Sequence, residues 1–258
     1  MTLVGNTPAD TRSTDTRSTA AAFSTPAKTP RVSTARPRTR DGLARPKTGE
    51  VRVRIGALGL SSLGIQAAGL VSAVGPDAGG FAAGDRVSYR TAMPVGESSP
   101  YATGGLSTVV PERELIGFPK DVALEAAAAY LPLGLVARTV VKQLHSVGRG
   151  NRVVIDDDTT GASAFVAAWV LDLGAEVVGA GDRADVVITA DDFAAARRWR
   201  YANGLAQIAA ADVFNEVRRG IFDHIPVTTY PIADAERART ELVQRVAASP
   251  IVLLPAAA

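Results

Sequence analysis

The sequence predicts an α/β protein, and two stretches carry that expectation. From Glu50 onward Val51, Val53 and Ile55 alternate with Arg52 and Arg54, and residues 67–74 and 85–89 add further apolar runs. Turns such as Gly75-Pro76 and Gly79-Gly80 separate them, so the region reads as several short strands. Later, residues 152–155 form a short buried strand and residues 163–173 place apolar side chains at helical spacing. Gly174 follows as C-cap and residues 176–179 as a second strand. Residues 151–181 therefore read as half of a mononucleotide-binding unit.

The intervening and following elements fit the same class. Residues 108–110 and 115–118 continue the strand pattern, and an alanine-rich helix begins at 124–130 with Asp121 as N-cap, resuming after Pro132. Beyond the second strand come a third at 185–188, helices at 191–199 and 205–219, and a strand–helix–strand passage ending at Ile251–Leu254. No internal repeat is visible.

Composition narrows the chemistry. The chain has no cysteine and two histidines, which excludes disulfides and thiolate nucleophiles and leaves little material for a metal centre, so no metal is expected. Neither His145 nor His224 has a nucleophile and an acid beside it in sequence. The basic balance is confined to residues 1–49, where nine Lys/Arg face three aspartates for a net +6; the rest of the chain is then −4 of the whole-chain +2. A nucleic-acid partner thus has no basic groove to use. Residues 1–49 are rich in Thr, Ser, Arg, Pro and Ala without periodicity and read as a disordered or extended edge segment. No uninterrupted apolar run approaches the roughly 20 residues of a membrane span, and residues 1–10 lack the order of a secretory signal, so a cytoplasmic location is expected.

Four landmarks occur in a telling order. They are Gly49-Glu50-Val51-Arg52-Val53-Arg54 with residues 57–60, residues 69–75 with Gly84-Asp85-Arg86-Val87, residues 148–155 with Leu173-Gly174-Ala175-Glu176-Val177-Val178-Gly179, and Tyr230-Pro231-Ile232 through Ile251-Val252-Leu253-Leu254-Pro255. Together they resemble the medium-chain dehydrogenase/reductase superfamily, in its zinc-free quinone reductase and polyketide enoyl reductase branch. The resemblance implies a GroES-like split β-barrel built from both chain ends and an inserted, here shortened, Rossmann-like domain. The domains expected from it are the N-terminal segment 1–49, the barrel at 50–140, the nucleotide domain at 141–224 and a return to the barrel at 225–258. It also implies a possible homodimer.

Three departures from the family pattern bear on function. Where the family has a glycine-rich phosphate loop, this chain reads Asp156-Asp157-Asp158-Thr159-Thr160-Gly161-Ala162-Ser163, with Gly161 alone at a glycine position. Each carboxylate close to a pyrophosphate repels it by about 1 kcal/mol in water-like dielectric, and an aspartate capping the helix would itself fill the anion site. Asp156, Gly161 and Ser163 thus mark a degenerate nucleotide loop. Residues 179–183 run almost directly into the third strand, and the substrate-side loop after Leu60 is deleted.

These losses lead to the expectation of an enzyme without a cofactor, which reuses a reductase cleft for a non-redox step on a hydrophobic, polyketide-type intermediate: cyclisation, isomerisation or dehydration. The alternatives are an NADPH-dependent quinone or enoyl oxidoreductase and a non-catalytic interaction protein. The resemblance puts Tyr101 and Tyr130 at the cleft, where a phenol can polarise a carbonyl or guide a proton. Asp157 and Asp158, as clustered carboxylates, raise one another's pKa and can donate a proton. Ser61, Ser62, Gln66 and Leu133 are the expected substrate-binding residues.

Overall fold

The computed structural model describes residues 45–91, 106–156, 161–199, 204–244 and 249–255. All but the last five residues of the N-terminal segment lie outside these ranges.

The alternation after Glu50 yields β1 (Glu50–Ser61), β2 (Gly64–Val74) and β3 (Arg86–Thr91), then β4 (Ser107–Pro111) and the short β5 (Ile116–Gly117). In β1, Val51, Val53 and Ile55 are buried on one face; the pairing with β2 then slips between Ile55 and Ala57, and Leu58 and Leu60 take over that face. The slip is a bulge at Gly56, which restores the inward alternation after a bend. These side chains form the barrel core with Val87, Val110, Ile251 and Leu253.

The far end of the chain completes the sheet. β10 (Ile251–Leu254) lies antiparallel to β1, pairing Leu58 with Leu253, and β9 (Thr228–Pro231) lies parallel to β10. Among the described residues the sheet has seven strands in the order β5-β3-β2-β1-β10-β9, with β4 also on β1. α5 (Ala235–Gln244) closes it by burying Ala235 and Ala238.

The alanine-rich helix differs from the sequence expectation. α1 (Leu124–Thr139) runs unbroken through Pro132, and its N-cap is Ala123. The Asp121 carboxylate instead pairs with Arg218 at 2.8 Å. Proline at 132 cannot donate to the Ala128 carbonyl four residues earlier. That carbonyl meets β1: a Cβ on Gly59 would lie 2.0 Å from Ala128 O. Close approach recurs along the helix, since a Cβ on Gly56 would lie 2.4 Å from Leu124 Cδ1, and one on Gly134 2.6 Å from Val213 Cγ1 in the later helix Leu205–Arg218. A π-helical turn, Val140–Leu144, extends α1. By length and composition Leu124–Leu144 would suffice to cross a membrane, but 61% of its apolar window is buried within the fold, as befits a helix that is apolar on nearly every side.

A second, three-stranded sheet contains β6 (Arg152–Ile155), β7 (Glu176–Val178) and β8 (Val186–Ile188), all parallel. α2 (Ser163–Asp172) connects β6 to β7, and Gly174 at φ +76° ends it. α3 (Ala190–Arg198) and α4 (Leu205–Arg218) follow. Phe165 and Trp169 of α2, Phe193 of α3 and Phe214 of α4 join α1 and Val153 in the larger core. Gln207 of α4 both accepts from Gly117 N (3.1 Å) and donates to Gly117 O (2.7 Å), filling a ladder position on the edge strand β5 with a side-chain amide.

Because Gly59 has backbone rather than a flexible side chain against it, Gly59→Ala should destabilise the chain by about 1–3 kcal/mol, the usual cost of forcing apart a well-packed contact. Urea unfolding of the full chain measures this. A loss below 0.5 kcal/mol, to order of magnitude a surface-site effect, would contradict the close approach of β1 and α1.

Candidate functional site

The small sheet has the order β7-β6-β8, so β8 lies beside β6 and not beyond β7 as a third strand in series would. The chain leaves β6 for one neighbour and comes back to the other, which makes the C-terminal end of β6 a topological switch point. Open α/β sheets bind ligands in the crevice outside the strand ends at such a point. Residues 179–185 make the crossing without a helix, with Asp182 accepting from Gly179 N at 3.0 Å and Asp185 accepting from Arg152 N at 2.8 Å.

Around the switch point, Asp156 donates its N–H to Ile188 O at 2.9 Å, and its side chain is exposed. Asp157 and Asp158 lie outside the described residues, as does Tyr101. Past them Gly161 has φ +76°, a conformation suited to glycine, and leads into α2. The N-cap of α2 is Ala162, whose methyl group offers no capping oxygen, and no acidic residue stands in the first turn. Ser163 is the first helical residue. The start of α2 thus follows the C-terminal end of β6, with the positive end of its helix dipole there.

Tyr130 abuts this helix start. Its ring meets Phe165 edge-on at 5.8 Å and Phe222 at 5.9 Å, and its hydroxyl donates to Ile225 O at 3.2 Å. Burial, with the Asp223 charge adding to it, raises the phenol pKa above its ordinary value, so the group stays protonated at neutral pH. With its proton given to a backbone carbonyl, Tyr130 here acts as a packing and anchoring residue.

A separate cavity of about 230 Å³ lies between the barrel sheet and the helices. Leu63 and Gln66 of the β1–β2 hairpin, Arg90 of β3 and Ile116 of β5 line its barrel side. Leu131, Leu135 and Thr139 of α1 and Trp199 after α3 line the other. Of the four substrate-binding residues expected from sequence, Gln66 reaches this cavity. Ser61 instead holds the hairpin turn, accepting from Leu63 N at 3.2 Å, and Ser62 sits exposed in the same turn. Leu133 is 1% exposed and packs into the larger core, because the helical repeat that turns 131, 135 and 139 to the cavity turns 133 away. Trp199, Ile116 and Arg90 were not anticipated: they come together only through the α3 packing and the β2–β3–β5 pairing.

No family model matches the chain. A curated quinone oxidoreductase from Pseudomonas aeruginosa is 30% identical over 154 residues, covering 53% of this chain and 45% of its own length. A 2-haloacrylate reductase from Burkholderia sp is 29% identical over 157 residues, covering 52% and 45%. These relatives are the quinone oxidoreductase and the 2-haloacrylate reductase of the medium-chain dehydrogenase/reductase superfamily that the sequence landmarks resemble. The chain spans about half the length of these curated relatives. Among solved structures, the Escherichia coli quinone oxidoreductase complexed with NADPH superposes with a TM-score of 0.57 at 18% identity, over 82% of this chain and 93% of that one. The fold is accordingly that of the superfamily, a GroES-like barrel with a shortened Rossmann-like domain.

The NADPH complex of that neighbour overturns the expectation that the fold is used here without a cofactor. The physical argument behind that expectation was also too weak. An exposed carboxylate such as Asp156 opposes a phosphate by about 1 kcal/mol before salt screening, whereas micromolar binding amounts to roughly −8 kcal/mol.

The helix that reaches the cavity is latched at its start. Thr189 caps α3 in a box with Asp192, whose carboxylate accepts from Thr189 N (2.8 Å) and Oγ1 (3.0 Å) and lies 3.0 Å from His145 Nε2. Burial opposes the Asp192 charge, but the Thr189 hydrogen bonds and His145 outweigh it and hold the carboxyl below its ordinary pKa. A depressed carboxylate contributes stability above its unfolded pKa of about 3.9, and loses it as pH falls through the lower folded value. Asp192→Asn should therefore cost about 1 kcal/mol at pH 7, the usual worth of a cap interaction, and the gap to the unaltered chain should narrow at acid pH as the carboxyl protonates. Urea unfolding at neutral and at acid pH measures it; a gap independent of pH would rule the latch out.

Proposed function

We propose that the chain is an NADPH-dependent oxidoreductase of the quinone or enoyl type, whose hydrophobic substrate occupies the cavity between the barrel and α1. The observation that carries this reading is the switch point at β6, followed by Gly161 and a helix start whose N-cap is Ala162. The names of the two curated relatives, one a quinone oxidoreductase and the other a 2-haloacrylate reductase, support the same reaction class. They favour it over a non-redox step.

The residues present fit the cofactor. The Gly161 turn and the start of α2 would hold a phosphate by backbone hydrogen bonds and helix dipole. When bound, NADPH supplies the hydride. The chain's own part is to orient and to exclude water: Leu63, Ile116, Leu131 and Leu135 give the cavity apolar walls, and Gln66 gives it a polar point. Tyr130, kept protonated and tied to Ile225, would fix the start of α2 against the chain near Phe222. In this reading residues 50–140 and 225–258 make the barrel domain and 141–224 the nucleotide domain, and the protein is cytoplasmic.

Calorimetric titration of the full chain with NADPH should give a dissociation constant in the micromolar range, about −8 kcal/mol, and NADPH should be consumed with 1,4-naphthoquinone or an enone. Gly161→Val should weaken NADPH at least tenfold, about 1.4 kcal/mol, because a β-branched residue resists positive φ. Absence of both heat and NADPH consumption would overturn the proposal.

A further inference from the structure

One polar group of the cavity wall, Gln66, presents an acceptor to the cavity. Gln66 is 7% exposed, yet among the described residues its side chain makes a single hydrogen bond, from Nε2 to Ser88 Oγ at 2.8 Å. Which end of the amide faces the strand is settled by the next link. Ser88 Oγ lies 2.9 Å from Ala67 O, which can only accept, so the hydroxyl proton goes there and Ser88 must accept from Gln66. The amide oxygen, Oε1, is thereby left without a partner among the described residues, on a side chain that lines the cavity. An acceptor in that position is open to a donor from a ligand.

Two neighbouring wall groups direct a hydrogen bond to backbone carbonyls. Thr139 Oγ1 donates to Leu135 O at 2.8 Å, and Arg90 donates to Leu63 O. The remaining surfaces nearby, Ile116, Leu131 and Trp199, are apolar or flat and aromatic. At about 230 Å³ the cavity is smaller than the roughly 300–1,000 Å³ of pockets for drug-sized ligands.

We infer that Gln66 is a specificity-determining residue: the cavity takes a compact, mainly apolar ring compound that donates a hydroxyl proton to Gln66 Oε1. A ligand with carbonyl oxygens alone leaves that acceptor unmet, so a hydroxylated ring is favoured over its bare counterpart. The inference rests on the proposed function only in treating the cavity as the substrate's.

The test uses the full chain without NADPH and two probes of nearly equal shape, 2-naphthol and 2-fluoronaphthalene, followed by fluorescence or calorimetry. The unaltered chain should bind 2-naphthol at least tenfold more tightly than 2-fluoronaphthalene. Gln66→Leu should bring the two to equal affinity. Equal affinities in the unaltered chain, no binding of 2-naphthol, or a preference that survives Gln66→Leu would each overturn the inference. The comparison of probes on the unaltered chain decides the matter even if a variant unfolds. Selective 2-naphthol binding in a chain that ignores NADPH would retain this inference and remove the oxidoreductase reading; the reverse result would do the opposite.

Discussion

The contact between Gly59 and the Ala128 carbonyl is the constraint on which the rest of the molecule depends. Pro132 deprives that carbonyl of its helical donor, and the missing side chain at Gly59 lets β1 lie against it. The same helix receives α4 at Gly134 and carries Tyr130 toward α2. The barrel and the parallel sheet thus share one helix, and its position sets both the cavity beneath Gln66 and the start of α2.

That sharing explains how a small parallel sheet is kept in place. Three strands with a helix on one side bury little, and Val177 and Val187 remain 37% and 50% exposed. Stability comes instead from the aromatic cluster of Phe165, Phe222 and Tyr130, from Trp169, and from charged links such as Arg138 to Asp212 at 2.7 Å. The short crossing at 179–185 has no helix to place on the far face. What it keeps is the strand order, and the strand order keeps the crevice at the end of β6.

The polar groups near the two cavities divide according to whether their bonds are complete. Tyr130, Ser61 and Thr139 give or receive their hydrogen bonds within the fold and so hold backbone in position. Gln66 is held by one end of its amide and presents the other. A residue's chemistry here depends less on its type than on which of its bonds the tertiary structure has already satisfied.

The sequence by itself determined the strands from Val51 to Leu254, the α2 unit ending at Gly174, and the family resemblance, because alternation, helical period and glycine caps are local consequences of backbone geometry. It also singled out Gln66, as part of the shortened hairpin, although not the Ser88 that orients it. The continuity of α1 through Pro132, the place of β8 beside β6, and the burial of Leu133 were decided by tertiary structure alone. Each depends on a partner distant in the chain: Gly59 for the proline's stranded carbonyl, β6 for the edge that β8 fills, and the aromatic core for the side of α1 that turns inward. A run of aspartates reads as a strong repulsion in one dimension, but the exposure of Asp156 leaves its charge to solvent screening.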